Sequence, residues 1–290
     1  MSGNSPLDQD GGWTGLQFEM FPVERPTPEQ VIAAAIAHEP VAIYALFSGG
    51  DGSLRATHWA MNNVPGCRVA HINTGIGLDA TRRFVRETCV RHGWDLTEIR
   101  AKEDCGQDYD RIVLEHGFPG PASHRYMYIQ LKERAIEELV RRSKARGTGE
   151  KVMLLTGIQH DDSTRRSGYG GREITFNKAQ MWVNHMYWTD KSSVYHYLRD
   201  NQIRRNPVSV ALGMSGECGC GAFADVGELA IWTREDPAFG ERIDRLQHEA
   251  AARGVHCRWE GRPPRDRDDT QTQDMFSPLC TNCIKSRMAA

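Results

Sequence analysis

The sequence predicts an α/β protein: a mostly parallel sheet with flanking helices, followed by a small cysteine-rich, metal-binding C-terminal subdomain. Three observations predict it. An unbroken apolar run, Val41 to Phe47, feeds into the turn Ser48-Gly49-Gly50-Asp51-Gly52-Ser53 and then a helical pattern. A strand buried on both faces, as at the centre of a parallel sheet, reads this way. Strand-like and helix-like stretches then alternate as far as Gly157, the pattern of right-handed crossovers between parallel strands. Four of the eight cysteines fall as two close pairs, Cys218 with Cys220 and Cys280 with Cys283.

Bulk properties narrow the function classes. The 290 residues carry 36 basic and 38 acidic side chains, for a net charge of −2, which argues against a generic nucleic-acid coat. No stretch is long and apolar enough to span a bilayer. The first residues show no basic segment followed by an apolar one, so a cytoplasmic protein with no membrane partner is expected. There, eight cysteines do not read as a disulfide framework. Residues 1–26 are expected to form an N-terminal arm, 27–206 a nucleotide-binding α/β domain, and 207–290 the cysteine-rich subdomain.

Each element has a local reason. Thr27-Pro28-Glu29 supplies an N-cap, a proline for the first helical position and an acid for the first turn. Cys67 to Ile72 reads as a second strand, ending at Asn73-Thr74-Gly75. A helix from Asp79 to about His92 buries Phe84, Val85, Thr88 and Cys89. Asp95 to Arg100 reads as a third strand with Cys105 in the loop after it, and Tyr109 to His116 as a short helix. Ser123 to Arg146 is the longest helical pattern, with Leu131, Ala135, Leu139 and Val140 recurring at helical spacing and a basic end suited to a helix C-terminus. Lys151 to Gly157 is a fourth strand. Past residue 158 the alternation fades into a Gly-rich loop, a helix from Lys191 to Asn201, and two helices within 228–253. Cys67 and Cys257 are placed on strands.

The chemistry gathers at the carboxyl ends of the strands, where ligands bind in such sheets. A Ser/Gly turn between strand and helix leaves unpaired N–H groups at a helix N-terminus, which is an anion site. Ser48 to Ser53, Asn73-Thr74-Gly75 and Thr156-Gly157 should converge there. From spacing alone, the cysteine pairs suit tetrahedral zinc and a [4Fe–4S] cluster equally.

The turn resembles the PP-loop, S-G-G-x-D-S, of the adenine-nucleotide α-hydrolase superfamily, with Gly52 at the family's Asp position and Asp51 one residue earlier. His71-Ile72-Asn73-Thr74-Gly75 resembles a strand end of the phosphoadenosine phosphosulfate (PAPS) reductase family within it. The stretch Thr156 to Arg166 resembles that family's G-x-R-x-x-E-S-x-x-R, with Asp162, Ser163 and Arg166 aligned and Gln159 in place of the first Arg. Tyr187-Trp188-Thr189-Asp190 resembles the W-T-x-x-D-V-W region, Trp188 being read as core and Asp190 as a cap. Residues 124–132 resemble R-W-C-T-x-x-L-K, with Met127 at the Cys position.

This resemblance implies a Rossmann-like sheet. It implies that Ser48, Gly49, Gly50, Gly52, Ser53, Asn73, Thr74, Gly75, Gly157, Asp162 and Ser163 bind an adenine nucleotide, ATP or PAPS, with Mg2+ as a companion ion. Arg166 and Asp51 would be the catalytic pair, since a guanidinium matches phosphate or sulfate oxygens. It tips the metal at Cys218, Cys220, Cys280 and Cys283 towards [4Fe–4S], zinc being the alternative.

Three activities follow as expectations. One is ATP-pyrophosphatase-type adenylation supporting sulfur transfer, with a sulfur donor protein and a nucleic-acid acceptor as partners and a homodimer as a compatible assembly. The second is thiol-dependent reduction of PAPS or adenylyl sulfate to sulfite, for which Cys105 is the candidate nucleophile. The third is a non-catalytic nucleotide-binding protein.

Overall fold

The apolar run at 41–47 forms one of the two central strands of a six-stranded sheet, and its surroundings explain its composition. The computed structural model describes residues 25–145, 147–160, 173–255 and 257–260. Its strands are β1 (Ala42–Leu46), β2 (Cys67–Asn73), β3 (Leu96–Arg100), β4 (Val152–Leu155), β5 (Ile174–Asn177) and β6 (Gln180–Val183). They form one sheet in the order β3-β2-β1-β4-β6-β5, parallel except for the β5–β6 pair. Ala45 packs with the cluster under α1 (Pro28–Ile36) and α2 (Asp51–Asn63), while Ala42 and Tyr44 join a second cluster on the opposite face. Two covered faces leave no position for a polar side chain, hence the continuous run.

Two further helices follow the expected bounds closely: α3 (Asp79–His92) and α5 (Tyr109–His116). Between them, the segment after β3 is a short helix, α4 (Ala101–Cys105), and not a loop. The Cys105 thiol packs towards the Arg134 carbonyl at 3.8 Å. Burial, aided by Glu138 and Asp104, pushes it above the usual thiol range, which works against a free thiolate.

The long helical pattern is one rod with a phase change. A 3-10 turn (Pro121–Ser123) leads into α6 (His124–Tyr128), a π turn (Ile129–Glu133) and α7 (Arg134–Ser143). Its basic end is ion-paired: Arg141 with Glu138 at 2.6 Å, and Arg142 with Asp104 at 2.7 Å. The faded region past residue 158 contains the β5–β6 hairpin. Its strands are four residues each, and its turn, Lys178-Ala179, holds Lys178 at φ 52° without the Gly or Asn that usually announces such a turn.

After α8 (Ser192–Asp200), the chain forms α9 (Pro207–Leu212), α10 (Glu228–Glu235) and α11 (Pro237–Ala252). These helices share a core with the middle of the chain: Ile243 and Leu246 lie in one cluster with Ile76, Leu78, Tyr109, Met127 and Leu131. Trp232, Phe239 and Trp259 pack within it in tilted and edge-to-face contacts at ring separations of 5.0–5.8 Å. Cys67 is on β2 as expected, whereas Cys257 lies outside any strand, its sulfur accepting from the Phe118 N–H at 3.4 Å. Trp188 is only half-buried, and its indole N–H donates to Glu173. Among the described residues, no helix is long and apolar enough to cross a membrane.

The Thr27 cap is a complete capping box with Gln30, the Thr27 hydroxyl accepting at 3.4 Å and the Gln30 carbonyl oxygen at 2.8 Å. Thr27→Ala is expected to lower stability by about 1 kcal/mol, read as a shift in denaturant midpoint at unchanged slope.

Candidate nucleotide and thiol site

The sheet reverses direction of growth between β1 and β4, and the Ser/Gly loop leaves β1 there. Phe47 extends the strand by one bond, its N–H donating to Ala70 at 2.8 Å, and the chain then turns. Gly49 takes φ +83°, the left-handed conformation that a side chain disfavours. Its carbonyl accepts from the buried Asn206 side chain at 3.0 Å, while Asn206 also caps α9. Ser53 closes the loop, its hydroxyl donating to the Gly50 carbonyl at 2.9 Å and lying 3.1 Å from that of Ser48. Helix α2 starts at Asp51, so the N–H groups of Asp51, Gly52 and Ser53 have no partner within the helix.

Of the other two expected strand ends, Gly157 packs directly on this loop, whereas Asn73-Thr74-Gly75 is tied to Glu98 and Glu217. Gly157, two residues past β4, lies flat against Gly52 and Ser53: a Cβ on it would sit 2.6 Å from the Gly52 carbonyl oxygen. The end of β2 is fixed by its own side chains. The Asn73 carbonyl oxygen accepts from Gly75 N–H at 3.0 Å, and its amide donates to Glu98 at 2.8 Å. Arg86 grips Glu98 through two 2.8 Å bonds. Burial opposes the Glu98 charge, but Arg86 and Asn73 outweigh it and bring its pKa down to about 2.

Asp51 is held in a fork by Arg205, at 3.1 and 2.6 Å, and Arg205 stacks on Tyr195 at 4.6 Å. The hydrogen bonds that Arg205 donates to Asp51 raise its pKa, holding a charged guanidinium in an ion pair beside the first turn of α2. Gln159 is buried, its amide donating to Thr189 at 2.8 Å, so it fills a structural role. Asp162, Ser163 and Arg166 lie outside the described residues, as do Cys280, Cys283, Arg146 and 1–24 of the arm.

Behind the loop runs the segment that carries the first cysteine pair. Its Glu217 is 2% exposed and its partner His71 is 1% exposed. Glu217 accepts from the Thr74 N–H at 2.9 Å and holds His71 Nε2 at 3.3 Å, close enough for an ion pair though not aligned as a hydrogen bond. His71 Nδ1 lies 2.7 Å from the Phe47 carbonyl, to which it donates. Burial disfavours the imidazolium. Glu217, the Phe47 carbonyl and Glu98 overcome that penalty and hold the His71 pKa above its usual value.

Cys218 and Cys220 face a cavity of about 480 Å³, whose wall includes Lys132, His124, Tyr128 and Trp182. A hydrogen bond from Cys220 draws the Cys218 pKa down to about 6, against the cost of burial and with help from Lys132. Cys220 is pushed up correspondingly, by that bond and by burial. The Lys132 pKa is raised, chiefly by Cys218. Met127, at the family's Cys position, borders the same narrow gap as Cys218 and Cys220. A thiolate beside a cation suits a soft ion or cluster, and this pair fits as half of such a donor set. Among the described residues, no three His, Cys, Asp or Glu side chains converge as a metal site.

Sequence reasoning missed Arg205, Asn206 and the role of Glu217. Asn206-Pro207 carries a readable signal, an N-cap followed by proline at the first helical position. The contacts from 205, 206 and 217 back to 47–81 are long-range and leave no local signature.

No protein-family model and no curated protein matches the chain. Among solved structures it is similar to the phosphoadenylyl-sulfate (PAPS) reductase from Candida auris in its phosphate complex: 16% identity, 65% of this chain and 86% of that one, TM-score 0.49. It is also similar to the U34-tRNA thiolase NcsA from Methanococcus maripaludis with its [4Fe–4S] cluster: 15% identity, 79% of this chain and 78% of that one, TM-score 0.38.

Proposed function

We propose that the chain is an adenine-nucleotide enzyme of sulfur metabolism, of the PAPS reductase family in the PP-loop superfamily. It adenylates an acceptor oxygen with ATP so that a sulfur donor can then displace AMP. The observation that carries this reading is the packing of Gly157 against the Ser/Gly loop at the strand-order reversal between β1 and β4. The motifs quoted above support the nucleotide, and the raised Cys105 thiol counts against the reductase alternative.

The acceptor oxygen attacks the α-phosphorus, and the bond to the β-phosphate breaks with pyrophosphate leaving. The N–H groups of Asp51, Gly52 and Ser53 cradle that leaving group, where fixed donors act most strongly. Arg166 neutralises its developing charge, and Arg205 adds a cation at the same helix end. Mg2+, when bound, would share the phosphate charge, and Asp51 is the loop carboxylate that would hold it. A sulfur nucleophile then breaks the bond from the acceptor's carbon to the adenylated oxygen, releasing AMP. Cys218, Cys220, Cys280 and Cys283 would hold the metal or cluster, which would supply structure or charge. The acceptor class is nucleic acid.

Pyrophosphate release from ATP, with Mg2+, a sulfide donor and tRNA or DNA present, tests this. It is expected to fall at least about 100-fold in Arg166→Ala, as for loss of a charge-stabilising donor. Sulfite production from PAPS with a thiol donor, lost in Cys105→Ser, would replace adenylation with reduction.

A further inference from the structure

The Ser/Gly loop and the Cys218–Cys220 pair are far apart in sequence but share one structural member, the segment 213–221. Its Ser215 carbonyl accepts from Thr81 at 2.6 Å, and its Gly216 carbonyl from the Leu78 N–H at 2.9 Å. Ser215 also packs against Gly50, where a Cβ would lie 3.3 Å away. Glu217 is the most connected residue in it. Its carboxylate accepts from the Thr74 N–H at 2.9 Å and faces His71 at 3.3 Å, and its carbonyl accepts from the Thr74 hydroxyl at 2.7 Å. His71 in turn holds the carbonyl of Phe47, the residue before the loop, at 2.7 Å. The next residue along the segment is Cys218, at the cavity wall.

We infer that Glu217 is a positioning residue that couples anion binding at the loop to metal loading at the thiol pair. This rests on the anion and thiol assignments of the proposed function. Fixing the Cys218 sulfur on a metal fixes the adjoining Glu217 backbone, and with it the direction of the carboxylate. A fixed carboxylate holds the Thr74 N–H at one strand end and sets His71 against the Phe47 carbonyl at the next. Phe47 leads directly into the Ser/Gly loop, and Ser215, two residues before Glu217, packs on Gly50 within it. The segment, pinned by hydrogen bonds to Thr74 and Thr81, carries a displacement made at either ligand to the other. Such coupling is reciprocal: anion at the loop tightens metal, and metal tightens anion. A simple brace would hold the same contacts without changing either affinity.

The test uses inorganic pyrophosphate as the anion and Cd2+ as the metal, on the full chain. Pyrophosphate is titrated calorimetrically into metal-free protein and into protein loaded with Cd2+ and desalted, the cadmium–thiolate absorbance reporting the loading. The loaded protein is expected to bind pyrophosphate about 5- to 150-fold more tightly, the usual span for coupled sites. E217Q keeps an acceptor for Thr74 but not the charge facing His71. It is expected to load Cd2+ with the same absorbance while the affinity ratio collapses to under about twofold, and E217D to recover part of it. Equal pyrophosphate affinity in loaded and metal-free wild type overturns the coupling without needing any variant to fold. Pyrophosphate binding to neither form removes the anion site and the coupling together. Absence of the cadmium–thiolate band does the same for the thiol site.

Discussion

Gly157→Ala is expected to displace the Ser/Gly loop and to weaken pyrophosphate binding, whereas Gly52→Ala leaves folding intact. The two glycines touch, yet the demands on them are unequal. A Cβ on Gly157 would lie 2.6 Å from the Gly52 carbonyl oxygen and 2.9 Å from the Ser53 nitrogen, both main-chain atoms that cannot swing aside. A Cβ on Gly52 would meet only the Gly157 carbonyl, at an ordinary 3.5 Å. Overpacking of this kind costs about 1–3 kcal/mol, and here it falls on the main chain at the start of α2. Alanine at position 52 instead sits in a helical turn, where it is favoured over glycine by about 0.5–1 kcal/mol. Thermal melting with and without pyrophosphate separates the two. Wild-type melting and a wild-type pyrophosphate shift in Gly157→Ala would show that Gly157 does not pack against the loop as described.

The second large effect concerns the buried His71–Glu217 pair. Because its folded pKa is raised above the unfolded value of about 6.5, the stabilisation from protonated His71 is fully present below that value. It is lost as pH rises through the folded pKa. Stability measured by urea unfolding is therefore expected to decline from about pH 6.5 upward, and His71→Gln to flatten that slope. Removing the carboxylate altogether is harsher. Glu217→Ala leaves the imidazole and the Thr74 N–H without their acceptor in a site closed to solvent, a loss of about 3–5 kcal/mol at low pH. A flat stability profile in wild type across this window would mean that His71 is neutral throughout.

The legible part of the fold is the part governed by local pattern. Val41 to Phe47, the Thr27 cap and the bounds of α3 and α5 carry their signals in neighbouring residues, and the structure places them accordingly. The β5–β6 hairpin is illegible because its strands are short and Lys178-Ala179 lacks turn chemistry. Cys105 reads as loop because a five-residue helix is too brief to show a period. At the site, the Ser/Gly loop announces itself, but its supports do not. Asn206, Arg205 and Glu217 act across more than 100 residues of chain, and only folding brings them to 47–81. Arg166, Cys280 and Cys283 lie outside the described residues.

The π turn at Ile129–Glu133 divides one helix between two masters. Met127 before it and Leu131 within it belong to the core beneath the thiol cavity; after it, Ala135, Ile136, Leu139 and Val140 pack with the sheet. Lys132 lies within the turn and faces Cys218. Each residue of an α-helix advances about 100° around the axis. Shortening the rod by a single residue at this turn would therefore rotate one half against the other, and either the sheet or the cavity would lose its side chains. Any relative aligned to this chain through 124–143 must carry the same extra residue to keep a lysine aimed at the thiols, so an apparent one-residue gap there marks a different cavity rather than a neutral length change.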